Sequence, residues 1–452
     1  MKTIKSEHGQ ALILIALAAV GLFAFTALAI DGSAKFSDRR HAQNAADAAA
    51  LAGAVALTNG KTSDVVVGGV SIPMWKLSAQ DRALENGYDD NHVTNEVEVY
   101  KCHEAGSSCG PYDGNPYYIQ VIITSHVRTY FATVIGVKET VNTVQAIAYW
   151  SAAGPAYGLD LLKSLSPQPC SGQNGNLVLG GNGNINLNGG GAFVNSPGTA
   201  GECGLEQAGC PQITITGGNV TSVGSGNINL SSSSSTCTKT NTLPPQFTYN
   251  NDPFPFPPAM PPEPSECISP AGQYSSDPTT QKTTLTPGKY YEFPPKGTST
   301  SPVYEDVFMQ PGVYCVEDVV KLSDKKLILT GYNVTIFIRS GYKFDIQGGK
   351  ITLTAPTTGP YAGYLIIVDS NFSGTPLNCN INGNSQNTYT GTIFAPYCDM
   401  TFNGTTESGN PDITYNTQVV AYTIKLDGSS TINFNYNPNY VAQSAPQVGM
   451  MR

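Results

Sequence analysis

The sequence predicts an α+β N-terminal region with a long transmembrane helix, followed by a mainly-β body of the parallel β-helix or solenoid type. Three observations predict this fold class. Residues 11–30 form an apolar run without a charge, short alternating strands separated by Gly and Asn fill the chain beyond residue 155, and two motifs recur there. Repeats of roughly 20 to 50 residues are typical of solenoids, and a β-sandwich is the alternative for this body.

The apolar run at residues 11–30 is the first element. At about 1.5 Å per residue it matches a hydrocarbon core about 30 Å thick, so we expect a single transmembrane helix behind a cytoplasmic tail at residues 1–10. Basic residues flank the run on both sides, and charge alone therefore does not orient it. The alternative is a signal peptide cleaved after Ala29, because Ala27-Leu28-Ala29 fits the small-x-small cleavage pattern.

The helix is expected to continue beyond the membrane, because residues 36–57 contain no Pro and one Gly. Small residues recur there at a spacing of four, which lets another helix approach closely. One interpretation is that a partner helix packs on this face. The other is that the face packs on the sheet of its own domain. The candidate interface residues are Ala42, Ala45, Ala46, Ala49, Ala50, Gly53 and Ala54.

These residues carry a resemblance to a known family. Gly9-Gln10-Ala11, the apolar run and the stretch from Arg40 to Ala54 (RHAQNAADAAALAGA) resemble the N-terminal region of TadG-like proteins of the Flp, or tight-adherence (Tad), pilus-assembly machinery. The resemblance continues more loosely to about residue 150, through a second helix, three strands and a short helix. It implies a membrane-anchored envelope component associated with assembly of a thin adhesive pilus. The implied partners are other pilus-assembly membrane proteins or pseudopilins.

The composition of the chain constrains its partners and its compartment. Of its 452 residues 13% are charged, compared with about a quarter in an average domain, and acidic residues outnumber basic ones by 33 to 24. Because no basic stripe is present, a nucleic-acid partner is not expected. The ten cysteines all follow the apolar run, which favours disulfides in an oxidising compartment over zinc sites. Buried free thiols are the alternative.

Two pairs of cysteines are disulfide candidates by their short separation. Cys102 with Cys109, and Cys203 with Cys210, could each close a small loop. The spacing does not fix the connectivity.

The chain beyond the anchor divides by composition. We expect a TadG-like helix with a small α/β domain at 31–154, a first β-solenoid segment at 155–242, a Pro-rich linker or strap at 243–264, a second β-solenoid segment at 265–440 and a tail at 441–452. The Pro-rich segment has nine prolines in 22 residues, which favours an extended spacer. Residues 391–396 and 418–421 also resemble a β-helical module found in bacterial envelope and pilus-associated proteins.

The two repeats in the body suggest its coil length. The motif at residues 181–188 returns at 224–231, an offset of 43, and Leu285-Thr286-Pro287-Gly288 returns at 309–312, an offset of 24. If the first offset spans two turns, one coil has roughly 20 to 24 residues.

Catalysis is not expected. All five histidines precede residue 127, so the body has no His for acid–base chemistry or for metal binding. Carboxylate pairs such as Glu305-Asp306 and Glu317-Asp318 remain, and a two-carboxylate glycosidase is the enzymatic alternative, but such pairs are usually solvated loop charges. No catalytic residue, cofactor or metal site is predicted.

The sequence therefore predicts a single-pass protein of the cytoplasmic membrane with its N-terminus inside and its body extracytoplasmic or at the cell surface. It would act structurally in assembly or presentation of a Tad/Flp-type adhesive pilus, in contact with the lipid bilayer and pilus-assembly proteins. The alternative is a surface adhesin whose β-solenoid binds a cell-surface glycan. A carbohydrate-active β-helix enzyme is the third interpretation.

Overall fold

The structure is a computed structural model that describes residues 8–151, 157–161, 175–198, 203–224, 227–230, 237, 239–244, 246–249, 260–369, 375–383, 386–404, 412–442 and 447–451. The chain forms two compact units, which we call the N-terminal unit (Met1–Ala152 with Pro446–Arg452) and the body (Ala153–Ala445). One apolar N-terminal helix and a mostly-β body are present, as the sequence predicts.

The N-terminal unit combines two helices with short sheets. Its elements are α1 (His8–Thr58), β1 (Asp64–Val67), β2 (Val70–Pro73), α2 (Met74–Glu85), β3 (Asn95–Lys101), a 3₁₀ helix (Gly110–Tyr112), β4 (Tyr118–Arg128), a second 3₁₀ helix (Ala132–Ile135) and β5 (Glu139–Ser151). The strands β1 and β2 pair as an antiparallel hairpin.

The main sheet of this unit is antiparallel, in the order β3, β4, β5 and a C-terminal strand, Gln447–Met451. Alternate residues of β3 and β4, such as Val99 and Val121, face the two helices and are fully buried. The C-terminal strand pairs with β5 in a register that sets Gly449 opposite Tyr149. Five residues of the expected tail at 441–452 therefore lie in a sheet, since β5 offers them an open edge.

The body contributes 24 strands to one hydrogen-bonded network within the described residues. They are β6 (Tyr157–Leu161), β7 (Leu177–Leu179), β8 (Asn184–Asn188), β9 (Gly191–Gly198), β10 (Cys203–Gln207), β11 (Gln212–Thr216), β12 (Val220–Gly224), β13 (Asn227–Asn229), β14 (Gln246–Tyr249), β15 (Tyr274–Asp277), β16 (Lys282–Leu285), β17 (Gly288–Tyr290), β18 (Asp306–Met309), β19 (Gly312–Val316), β20 (Val320–Leu322), β21 (Ile328–Tyr332), β22 (Val334–Ile338), β23 (Phe344–Ile346), β24 (Lys350–Thr354), β25 (Tyr364–Val368), β26 (Leu377–Gly383), β27 (Thr388–Gly404), β28 (Asp412–Gly428) and β29 (Thr431–Asn435). The C-terminal strand of the N-terminal unit is β30.

Apart from β15, which forms an antiparallel hairpin with β16, these strands pair in parallel along three ladders. Ladder A contains β16, β18, β21, β24, the first parts of β27 and β28, β29, β8 and β11. Ladder B contains β17, β19, β22, β25, the middle parts of β27 and β28, β6, β9, β12 and β14. Ladder C contains β20, β23, β26, the last parts of β27 and β28, β7, β10 and β13.

Side chains at every second strand position fill the core between the ladders, as period-two alternation requires. Val307, Leu329 and Ile351 are opposite one another on successive strands of ladder A, and all are fully buried. Further along the same ladder, aromatic rings replace the aliphatic side chains. The rings of Tyr415 and Phe434 stack with their centroids 4.9 Å apart.

The offset of 24 is structural, since Leu285 and Met309 are direct partners in ladder A. Tyr290 and Tyr314, the tyrosines that follow Pro-Gly in each copy, each donate a hydrogen bond to the carbonyl four residues earlier. The offset of 43 is not a two-turn repeat. Its two strands, β8 and β13, lie in different ladders, because Gly-Asn turns precede strands of either ladder.

The first strands of the body stack on its last ones. Val419 of β28 pairs with Leu159, Ile424 with Leu177, and Ile432 of β29 with Ile185. The two segments expected at 155–242 and 265–440 thus share continuous ladders within one unit.

The Pro-rich segment is described at 243–244, 246–249 and 260–264. Its Pro-free residues Gln246–Tyr249 form β14 and pair with β12. Farther on, Met260 and Cys267 pack over the outer side of ladder B, against residues such as Phe337. Ladder B strands are therefore buried on both faces, which explains the continuous apolar sequence of β22 and β25.

Candidate functional site: the apolar helix, its exit and a groove in the body

The first half of α1 is an apolar helix without protein contacts. From Ile13 it has a mean hydropathy of 2.7, and none of that apolar window is buried inside the protein. Phe23 and Phe25 expose 76% and 75% of their surface. It is the one helix, within the described residues, that is long and apolar enough to cross a membrane. A helix that is apolar on all sides and unpacked has the character of a membrane span.

Asp31 marks the point where α1 leaves the apolar run. Its carboxylate accepts hydrogen bonds from the backbone N–H groups of Tyr130, Phe131 and Ala132, at 2.7 to 3.0 Å for the shortest contact of each. These N–H groups belong to the first turn of the second 3₁₀ helix, where donors have no partner within the helix. Asp31 thereby fastens the loop between β4 and β5 to the helix exit.

Asp38 makes a second attachment two turns farther along α1. Its carboxylate accepts hydrogen bonds from the Ser125 hydroxyl and from Asn142 Nδ2, the latter at 2.7 Å. Asn142 also donates to the carbonyl of Lys35 at 3.0 Å. Tyr88 donates to Asp38 as well, and burial together with this carboxylate raises the pKa of Tyr88 above its ordinary value.

The small-residue face of α1 is occupied by its own unit. Ala42, Ala45, Ala46, Ala49, Ala50 and Ala54 are each 0% exposed and form one core with the main sheet and α2. A Cβ atom at Gly53 would lie 3.3 Å from Ala79 Cβ of α2. The structure therefore corrects the expectation of a partner helix on these seven residues. The neighbour that small residues admit here is α2 together with the sheet.

The disulfide candidates are all bonded, in a pairing that spacing did not give. Cys102 bonds Cys109, with Cα atoms 5.7 Å apart. Cys210 bonds Cys237 rather than Cys203, and Cys203 is also in a disulfide. The loop from 203 to 210 is not closed on itself, because β10 runs through its first part and points the two ends at different neighbours.

Two further disulfides lie in the body. Cys267 bonds Cys315, which fixes the segment over ladder B to β19, and Cys379 bonds Cys398 between neighbouring strands of ladder C. Within the part of the chain that the structure describes, no cysteine is free.

The carboxylate pair Glu317-Asp318 contains one engaged member. Glu317 pairs with Lys289 at 2.7 Å and with Arg339, which also pairs with Glu263 at 2.8 Å. The hydrogen bond from Lys289, followed by that from Arg339, holds the pKa of Glu317 below its ordinary value. An ionised carboxylate held by two cations links neighbouring segments of the body and is poorly suited to donate a proton. Among the described residues, no cluster of three His, Cys, Asp or Glu could hold a metal ion.

The body also carries an open groove of about 1190 Å³. It lies beside ladders A and B, and its lining includes Thr354, Asn416, Asn437, Pro438 and Tyr440. Tyr440 is 50% exposed. Amide groups beside an exposed aromatic ring can hydrogen-bond and stack on a polar ligand. No local sequence pattern predicted this groove, because its walls come from segments about 90 residues apart.

Comparisons with known proteins give one family and one structural neighbour. Residues 9–56 match the family model "Putative Flp pilus-assembly TadE/G-like". No curated protein matches the chain. The competence-associated pilin ComZ from Thermus thermophilus is similar at 10% identity over 79% of this chain and 88% of that chain, but its TM-score of 0.20 supports no argument about fold.

The matched residues are all but the ends of α1, from the apolar half to the buried alanine face. They include Asp31 and Asp38, the attachment points of the sheet. Through residues 9–56, the chain belongs to the TadE/G-like family of Flp pilus-assembly proteins, as the sequence resemblance predicted.

Proposed function

We propose that this protein is anchored in the cytoplasmic membrane by α1 and acts structurally, through protein contacts, in assembly or presentation of an Flp-type pilus. One observation carries the proposal. The family segment is a single continuous helix whose first half is exposed and apolar and whose second half is the core of a folded unit. Such a helix joins a membrane to an extramembrane domain without a flexible linker. Other pilus-assembly membrane proteins or pseudopilins are the proposed partners.

The proposed orientation places the N-terminus in the cytoplasm and the body outside. Its support is chemical, since disulfides form and persist in oxidising compartments. The described disulfides fall in both units. All of them follow the apolar run.

We further propose that the body is a parallel β-solenoid projecting from the membrane. Three parallel ladders around a shared apolar core support this interpretation, as do the in-register pairs at offsets of 22 and 24 residues. A stack of this kind is stiff because each coil is packed on its neighbours. Stiffness suits a spacer that presents a surface at a distance from the membrane.

A deletion experiment tests the assembly role. A strain without this chain should lose assembled surface pili, and expression of the full chain should restore them. A chain whose residues 11–30 carry several Asp substitutions should be made but should not restore pili. Normal pilus numbers in the deletion strain would contradict the proposal.

The groove favours a second function, binding of a surface glycan. The test is retention of the full chain on immobilised glycans, comparing Tyr440→Ala with Tyr332→Ala. Tyr332 is a matched control, because it is 51% exposed on the body but outside the groove. Selective loss of retention in Tyr440→Ala, in a strain whose pili stay intact without the chain, would favour the adhesin interpretation over the assembly role.

A further inference from the structure

The loop that joins β4 and β5 presents an apolar surface to its surroundings. We call residues 129–138 the interfacial loop. Val134 and Ile135 are 87% and 81% exposed, and Tyr130 is 73% exposed. Phe131 and Val137 are each exposed by more than two fifths. A contiguous apolar patch of this kind marks a surface that contacts something other than water.

The hydrogen bonds of Asp31 fix the height of this loop along α1. Asp31 directly follows Ile30, the last residue of the apolar run. Its carboxylate holds the N–H groups of residues 130–132. The interfacial loop therefore lies beside the turn of α1 at which the apolar run ends.

The contacts of β5 give the direction of the hairpin. Asn142 hydrogen-bonds at Lys35 and Asp38, and Gln145 O accepts a hydrogen bond from Gln43 Nε2 at 2.9 Å. As β5 advances, its partners on α1 move away from the apolar run. The loop is consequently the end of the β4–β5 hairpin that is nearest the membrane.

The charges around the loop suit a phospholipid surface. Arg128 and Lys138 stand at its two ends and are exposed, and the residues between them include no Asp or Glu. Arg39 and Arg40 are exposed on the neighbouring part of α1. The carboxylate of Asp31 is engaged by backbone N–H groups. Cationic side chains flanking an apolar patch are typical of segments that lie in the interface of a bilayer with anionic lipids.

We propose that the interfacial loop inserts the side chains of Tyr130, Phe131, Val134 and Ile135 into the lipid–water interface at the membrane exit of α1. This rests on the proposed membrane anchorage. Apolar side chains at such a surface enter about 5–10 Å into the headgroup and acyl boundary, and a tyrosine is favoured there. The unit would then be held by two points, one spanning and one interfacial, which restrains its tilt on the membrane.

The test uses full-length protein in vesicles of phosphatidylcholine and phosphatidylglycerol with brominated acyl chains, which quench tryptophan fluorescence on contact. Val134→Trp is the probe. Val66→Trp is the matched control, because Val66 is 75% exposed in the same unit but follows the far end of α1, about 40 Å along the helix from Asp31. Trp75 and Trp150 give a common background. Flotation of the vesicles reports insertion independently.

We expect the tryptophan added by Val134→Trp to show blue-shifted emission that the brominated lipid quenches, and the one added by Val66→Trp to show neither effect. Asp31→Ala added to Val134→Trp should weaken the quenching, since the loop loses its attachment. If the protein floats with the vesicles but Val134→Trp is no more quenched than Val66→Trp, the inference is overturned while the anchor stands. A patch meant for a partner protein would give that result. Protein that does not float would refute the anchor, and the interfacial loop with it.

Discussion

Single polar side chains set the position of the sheet on α1. Asp38 is the clearest case, because its partners Ser125 and Asn142 are almost fully buried, at 4% and 2% exposure. Without the carboxylate, these donors would have no replacement from water. The sequence shows an Asp between two basic stretches but not the strand residues that donate to it, which lie about 90 to 100 positions away.

Replacement of Asp38 by Ala should therefore destabilise the N-terminal unit. Removing the acceptor of buried donors costs about 1–3 kcal/mol. Denaturant titration of the full chain in detergent, followed by near-UV circular dichroism, measures the loss. Asp81→Ala is the control, because Asp81 is exposed on α2, and it should change stability by less than about 0.5 kcal/mol. Equal stability of the two variants would contradict the attachment.

Glu317 predicts a pH dependence for the body. Its pKa is lowered from the ordinary value of 4.5 by Lys289 and Arg339, so the folded state binds its proton less readily than the unfolded chain. The stabilisation is present above pH 4.5 and is lost as the pH falls through the lowered pKa. The stability advantage of the wild type over Glu317→Gln should shrink between about pH 5 and pH 3. Denaturant midpoints of both proteins across this range provide the measurement; a constant difference would refute the ion-pair role.

At the scale of elements, α1 was predictable and its environment was not. Its apolar run and its Pro-free continuation predict one long helix, and the structure has it. The same alanine spacing fits a partner helix or an internal sheet equally well, because both need close approach of backbones. Which neighbour is present depends on α2 and β3–β5, and no local pattern in residues 42–54 encodes them.

The buried alanine face predicts the effect of larger side chains there. Ala46→Leu and Ala50→Leu would each force extra methylene groups into a packed core, at a cost of about 1–3 kcal/mol. The measurement is thermal unfolding of the N-terminal unit. Asn44→Leu is the matched control, because Asn44 lies on the exposed side of the same helix. Variants of Ala46 and Ala50 that stay fully stable but lose a partner in pull-down would reinstate the partner-helix interpretation.

The segment over ladder B is held by the Cys267–Cys315 disulfide, whose cysteines are 48 residues apart. By loop entropy, its removal costs the body about 4 kcal/mol, with about 2 kcal/mol as the lower typical value. The double variant Cys267→Ser/Cys315→Ser should therefore lower the unfolding midpoint of the body. Cys102→Ser/Cys109→Ser should leave that midpoint unchanged, because its disulfide lies in the other unit. Equal shifts from both variants would contradict this assignment.

At the scale of the whole molecule, local alternation predicted a β-rich body but not its strand order. Short strands such as β8, β22, β24 and β29 are visible as alternating or apolar runs between Gly and Asn. The pairing of Ile432 with Ile185 spans almost 250 residues, and each strand alone would fit many partners. Likewise, the place of β30 beside β5 depends on an edge formed far earlier in the chain. Such non-local pairings are fixed by the shared core rather than by any segment.

The central claim is that α1 spans the membrane and leaves the disulfide-bonded units outside the cytoplasm. The most direct measurement is alkaline extraction of membranes, combined with protease treatment of spheroplasts and N-terminal sequencing of the mature chain. We predict a chain that resists extraction, retains residues 11–30 and loses its body to external protease. A soluble product that begins at Ile30 would contradict the account, because the apolar run would then be a removed signal peptide.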